Sequence, residues 1–188
     1  AGGGDLPPIL FLHGVGSDKR VWAPQLTHFE KGRRAVAFDY PGYGESDFAE
    51  GATRDDFAAA ILAAMDALGI DRVHVCGLSL GGVIAIAMHD AAPHRCASLI
   101  LADSFAMHPD GQGIYDRSVA ASRSMTMQEL AEARSGLLLG SAATPELRSE
   151  VIETMAAVDP AAYRIGAEAG WLAAQRQRTA GSGRPPVI

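Results

Sequence analysis

Cysteine is scarce: Cys76 and Cys96 are the two in 188 residues, too few and wrongly spaced for a disulfide framework or a cysteine metal site. No apolar run approaches the roughly 20 residues of a membrane-spanning helix. Positive charge is in deficit, with 16 Lys and Arg against 22 Asp and Glu, a net charge of −6. That balance argues against nucleic acid or an anionic membrane as the main partner. The first residues, Ala-Gly-Gly-Gly-Asp-Leu-Pro-Pro, lack the basic and apolar regions of a secretory signal, so a reducing cytoplasm is the expected location. Neither G-x-G-x-x-G nor a Walker lysine occurs, which removes the usual phosphate-cradling turns. What remains is an ordinary globular composition, 48% apolar and 20% charged, with enough chain for one domain and a substantial core.

Strand and helix signals alternate through the first half. Pro8–Leu12 is a short, fully apolar strand of the kind buried in a parallel sheet. A helix is expected over roughly Val21–Phe29, a strand over Ala35–Phe38, and a glycine-rich loop over Asp39–Ser46. Thr53-Arg-Asp-Asp56 reads as a capping box opening a helix with Phe57, Ala60, Ile61, Ala64, Met65 and Leu68 on one face. Arg72–Cys76 is a strand, Leu80–Ala91 an amphipathic helix, and Ala97–Ala102 a further strand ending at Asp103. Such alternation implies right-handed crossovers and an α/β fold with a doubly wound, mostly parallel sheet. Beyond Asp103 strand signals vanish. Thr126-Met-Gln-Glu129 is a second capping box with Leu130, Leu137 and Leu138 behind it, and Thr144-Pro145 and Asp159-Pro160 are helix starts. The expected organisation is a core at 1–108, a helical lid or subdomain at 109–178, and the start of another core strand at 179–188.

The chemistry concentrates at Gly77-Leu-Ser79-Leu-Gly81. A β-branched strand before it and an amphipathic helix after it make this a nucleophile elbow, with Ser79 lifted to the apex between Gly77 and Gly81. The bland alternative is a glycine-rich turn holding a phosphate at a helix N-terminus. Acyl transfer also needs donors for the oxyanion of a tetrahedral intermediate. The N–H of Leu80 is one candidate. The N–H of Val15, in His13-Gly14-Val15-Gly16 after the first strand, is the other.

His13-Gly14, Asp39-x-Pro41-Gly42-x-Gly44-x-Ser46 and Gly77-x-Ser79-x-Gly81-Gly82 occur in that order. Together they resemble the α/β-hydrolase superfamily, within it small esterases, 3-oxoadipate enol-lactonases and C–C bond hydrolases. The resemblance implies Ser79 as nucleophile, Val15 and Leu80 as oxyanion donors, Gly42 and Gly44 as turn-formers, and later helices acting as a lid. It implies a small ester, lactone or activated C–C substrate and needs no metal or organic cofactor. A serine at the elbow disfavours the dehalogenase and epoxide-hydrolase branches, which use aspartate there.

In chain order the superfamily places its acid and histidine after the nucleophile, following later strands. The chain reads as a piece lacking a first hairpin and the last two strand–helix units, and is expected to turn over little substrate by itself. Asp103 is a candidate acid, because some members place one there, against a turn aspartate. His108 is the one histidine in position to be a candidate base. His89 and His94 read as surface residues, His74 as a packed strand residue and His13 as a loop-shaping one. Cys76 reads as a small buried hydrophobe, Trp22 and Tyr43 as pocket-edge or core aromatics, and Trp171, on a lid helix, as a packing residue with substrate contact the alternative. A non-catalytic binding module and a poorly folded piece are the competing readings.

Overall fold

The computed structural model describes residues 6–173; the expected strand start at 179–188 lies outside them. Four parallel strands form the sheet: β1 (Ile9–Leu12), β2 (Ala35–Phe38), β3 (Val73–Leu78) and β4 (Cys96–Ala102), in the order β2-β1-β3-β4. The helices are α1 (Ala23–Phe29), α2 (Arg54–Ala67), α3 (Leu80–Ala91), α4 (Gly111–Ser124), α5 (Met127–Leu138), α6 (Pro145–Ala156) and α7 (Pro160–Trp171). A short 3-10 turn, Lys19–Trp22, precedes α1.

Both faces of the sheet are wound. On β1, Leu10 and Leu12 point with Val73 and Val75 of β3 into a large core shared with Phe57, Ile61, Met65, Ile84 and Met88. Ile9 and Phe11 point the other way, onto Trp22 and, with Cys76 and Leu78, toward Leu26 and Phe29 of α1. This is the period-2 alternation of a strand buried on both sides. Trp22 stacks on Phe11 with ring centroids 4.8 Å apart. Fully burying a side chain of the size of Phe57 stabilises by about 1.5–3 kcal/mol.

Among the described residues the second face is covered only in part: Ile100 of β4, beside Cys76 on that face, stays exposed, and β4 is an edge strand with no partner on its outer side.

The capping boxes at Thr53 and Thr126 both form, with reciprocal bonds to Asp56 and Glu129. Thr144 and Asp159 cap α6 and α7 as expected. Two apolar assignments need correction. Leu68 is exposed, because α2 ends at Ala67 and Gly69, at φ +62°, turns the chain so that Ile70 is buried in its place. Leu137 and Leu138 are exposed as well, since they fall on the free side of the last turn of α5 while Met127, Leu130 and Ala131 face inward. The helices after β4 do not form a core of their own: Met127, Leu130, Met155, Ala162 and Tyr163 belong to the cluster that contains Leu10 and Leu12.

The strand order positions the site. From β1 the chain moves outward to β2, then crosses back over β1 to β3. The segments leaving the carboxyl ends of β1 and β3 therefore pass to opposite faces, α1 to one and α3 to the other, which makes a topological switch point, where open α/β sheets bind ligands.

Candidate active site

Ser79 occupies that point. It follows β3 directly and is the residue before α3, with φ +52° and ψ −115°. A positive φ is rare for a residue with a Cβ, and such strain concentrates at functional sites. The glycines around it are dictated by crowding. A Cβ on Gly77 would overlap the Gly81 carbonyl group and the Gly82 amide, and one on Gly81 would overlap the Leu12 carbonyl. The turn is also tied to β4: the Ser79 N–H donates to the Ala102 carbonyl at 3.0 Å. In return the Ser79 carbonyl accepts from the Ser104 hydroxyl at 2.7 Å and the Gly82 N–H at 3.0 Å. The residue is partly exposed rather than sealed in the core.

Two amides are candidates to serve the space beside the hydroxyl. Leu80 opens α3, so its N–H has no carbonyl four residues back within the helix, and the helix dipole favours negative charge there. The loop after β1 supplies the other. β1 and β3 pair in register, Leu12 beside Gly77, which carries the loop past the elbow. A Cβ on Gly14 would lie 3.7 Å from the Ser79 Cβ. Val15 follows at once.

The loop is shaped by its own histidine. His13 is fully buried, with its Nδ1–H donating to the Gly14 carbonyl at 2.8 Å. Its ring packs on Tyr40 and Tyr43, and the Tyr40 hydroxyl donates to the His13 carbonyl at 2.9 Å. Nε2 has no hydrogen-bond partner among the described residues and lies 3.9 Å from Asp39 Oδ1. Burial outweighs the nearby carboxylates and lowers the His13 pKa to about 4. The ring is neutral at pH 7.

The candidate acid and base both follow β4, and Asp103 sits between Ala102 and Ser104, each bonded to the Ser79 backbone. Asp103 leaves β4 with φ +44°, a conformation aspartate tolerates better than most residues, and its side chain is exposed. His108 packs against Phe105 and Trp171, and its Nδ1 accepts from the Asp110 N–H at 3.1 Å. A neutral ring bonded that way carries its proton on Nε2, so accepting one from a serine requires that bond to break. Among the described residues no histidine is hydrogen-bonded to Ser79. His89 and His94 are exposed, and His74 Nδ1 meets the Ser98 hydroxyl at 2.8 Å. Burial raises the Cys76 thiol pKa, as expected of an inert cysteine. Trp22 and Tyr43 are buried, and Trp171 stacks on Phe105. No metal-suited cluster of His, Cys, Asp or Glu is present among the described residues.

Ser104 and the Asp39 carboxylate were not legible as contributors. The doubled glycine at 81–82 was a partial signal for the first, because a Cβ on Gly82 would overlap the Ser104 side chain.

A buried parallel sheet, a strained serine at its switch point and glycines forced by backbone crowding define an elbow-bearing α/β protein. The alpha/beta hydrolase fold matches residues 7–167, and the chain belongs to that family. It is 34% identical over 100 residues to the 3-oxoadipate enol-lactonase 1 of Acinetobacter baylyi, a match covering 53% of the chain and 38% of that enzyme. It is 35% identical over 105 residues to a 2-hydroxy-6-oxononadienedioate/2-hydroxy-6-oxononatrienedioate hydrolase of Dechloromonas aromatica, covering 53% of the chain and 36% of that protein. The crystal structure of the enol-lactonase from Burkholderia xenovorans LB400 superposes with a TM-score of 0.78 at 25% identity, over 89% of the chain and 65% of that structure. The chain thus spans under two fifths of these curated relatives and about two thirds of the solved one.

Proposed function

We propose that the chain carries the nucleophile and oxyanion hole of a serine hydrolase acting on a small ester, lactone or activated C–C bond. The observation that supports this most is Ser79 held at φ +52° on the partly exposed apex of the switch-point turn. Ser79 Oγ attacks the substrate carbonyl carbon and gives its proton to a general base. The carbonyl π pair moves onto oxygen, and the N–H groups of Leu80 and Val15 stabilise that oxyanion. The pair then returns, and the bond to the leaving alkoxide, enolate or carbanion breaks. That group takes the proton from the base, and water releases the acid from acyl-Ser79 by the same sequence. Helices α4–α7 form the lid that shapes the acyl pocket. His108 as base and Asp103 as acid are the assignments to test within the chain. With His108 Nδ1 bonded to Asp110, we expect little turnover by these residues alone.

A fluorophosphonate probe applied at alkaline pH, where hydroxide takes the serine proton, tests the reading, because it then needs the serine and the oxyanion donors but neither a bonded histidine nor acyl-enzyme hydrolysis. Labelling that vanishes in Ser79→Ala and persists in Cys76→Ala is the expected outcome. A second reading, binding of a small apolar molecule without turnover, draws on one observation: no described histidine is bonded to Ser79. Absence of labelling together with saturable binding of an ester analogue selects it.

A further inference from the structure

The loop bearing Val15 contains glycine at 14 and 16, so its backbone is free to turn, and the local tie on the peptide that carries the Val15 amide is the bond from His13 Nδ1–H to the Gly14 carbonyl. The loop's two ends are fixed from outside, by adjacent residues of one other loop. At the first end the Tyr40 hydroxyl donates to the His13 carbonyl at 2.9 Å. At the far end Asp39 receives Lys19 twice: the backbone N–H reaches Oδ1 at 2.7 Å and Nζ reaches Oδ2 at 2.8 Å. Asp39 Oδ2 also accepts the Glu45 N–H at 3.2 Å, and the Ser46 hydroxyl donates to the Asp39 carbonyl at 2.9 Å, so the anchor is itself held.

The Asp39 carboxylate is 3% exposed, where a hydrogen bond involving a charged group is worth more than at the surface. Gly44 makes the burial possible, since a Cβ there would overlap that carboxylate, and its φ of +53° suits glycine. Lys19 also bridges to Glu45, and both partners raise its pKa.

We infer that Asp39 is a positioning residue, whose carboxylate clamps the loop 13–19 and so holds the Val15 amide on the oxyanion side of Ser79. The inference rests on the hydrolase reading for what the amide does, but not for whether the clamp exists. Asp39 touches no reacting atom. Asp39→Asn keeps an acceptor for the Lys19 N–H while its new NH2 group opposes Lys19 Nζ or the Glu45 N–H.

Two measurements on the full chain decide it. Hydrogen exchange of the amides in 13–19 should quicken about tenfold in Asp39→Asn, with those of β1 and α3 unchanged. Fluorophosphonate labelling should lose about tenfold in its maximal rate, with half-saturating concentration changed less than about twofold, because a displaced donor weakens transition-state and not ground-state binding. Unchanged exchange in 13–19 overturns the inference, as does faster exchange with an unchanged maximal rate. Should Asp39→Asn unfold, Lys19→Met removes only the Nζ arm and should quicken the same amides about threefold; no change there overturns the clamp. If the unaltered chain is not labelled at all, the hydrolase reading fails while exchange still decides the clamp.

Discussion

The Ser104 hydroxyl donates to the Ser79 carbonyl at 2.7 Å, joining the end of β4 to the strained turn after β3. A Cβ on Gly82 would occupy the place of that Ser104 side chain. Gly82→Ala should therefore destabilise the fold by about 2 kcal/mol through overpacking. In a Ser104→Gly background the added cost should be smaller by at least about 1 kcal/mol. Urea unfolding of the four proteins in the cycle measures the coupling, and strict additivity would contradict the geometry.

Strain at Ser79 has its own signature. Alanine retains the Cβ that makes φ +52° unfavourable, whereas glycine does not. Ser79→Gly should be more stable than Ser79→Ala by about 1 kcal/mol, although glycine costs more entropy elsewhere. Equal midpoints in chemical denaturation would place no strain at the turn.

Gly81→Ala tests crowding against backbone. The added methyl would overlap the Leu12 carbonyl on β1, which cannot move without disturbing the sheet. A loss of about 3 kcal/mol or more is expected, with fluorophosphonate labelling reduced beyond what the loss of folded protein explains.

His13 should make the protein acid-sensitive. Its folded pKa of about 4 lies below the ordinary histidine value of 6.5, so the unfolded chain binds the proton more readily. Stability from the neutral ring is complete above pH 6.5, falls as pH drops toward 4, and levels off below that. The span is on the order of 3 kcal/mol. Thermal melts from pH 7 to 4 should show this slope, and His13→Asn should flatten it even if its stability at pH 7 is lower.

The loop carrying Asp39 is also fastened to α7. The Tyr43 hydroxyl donates to the Ala162 carbonyl at 3.1 Å in a buried setting, and a Cβ on Gly166 would overlap that hydroxyl. Tyr43→Phe should cost about 1 kcal/mol. Gly166→Ala should cost more alone than combined with Tyr43→Phe, as calorimetry of the single and double variants would show.

Much of this was readable in the chain because local rules agreed with the fold. Ala35–Phe38 formed the strand its apolar run implied, and the boxes at Thr53 and Thr126 closed as their spacing demanded. The elbow was legible because its glycines fall at fixed spacing around Ser79 between a strand and a helix, although Gly81 is required by the distant Leu12 carbonyl as Gly77 is by its near neighbours Gly81 and Gly82. What escaped depends on distant partners. Nothing near Leu68 says that Gly69 will turn Ile70 inward instead, and nothing near Asp39 shows that Lys19 will reach it across 20 positions. The exposed leucines at 137 and 138 are a case where helical periodicity met no surface to bury against.

Gly16 touches α6 through the thioether of Met155, with 3.1 Å from the site of an added Cβ to the Met155 sulfur. Methionine is the side chain that best reshapes itself without losing contact. Met155 can therefore follow small shifts of the loop at Gly16 without opening a gap, so the contact between that loop and α6 survives movements that a stiff, branched side chain would not accommodate.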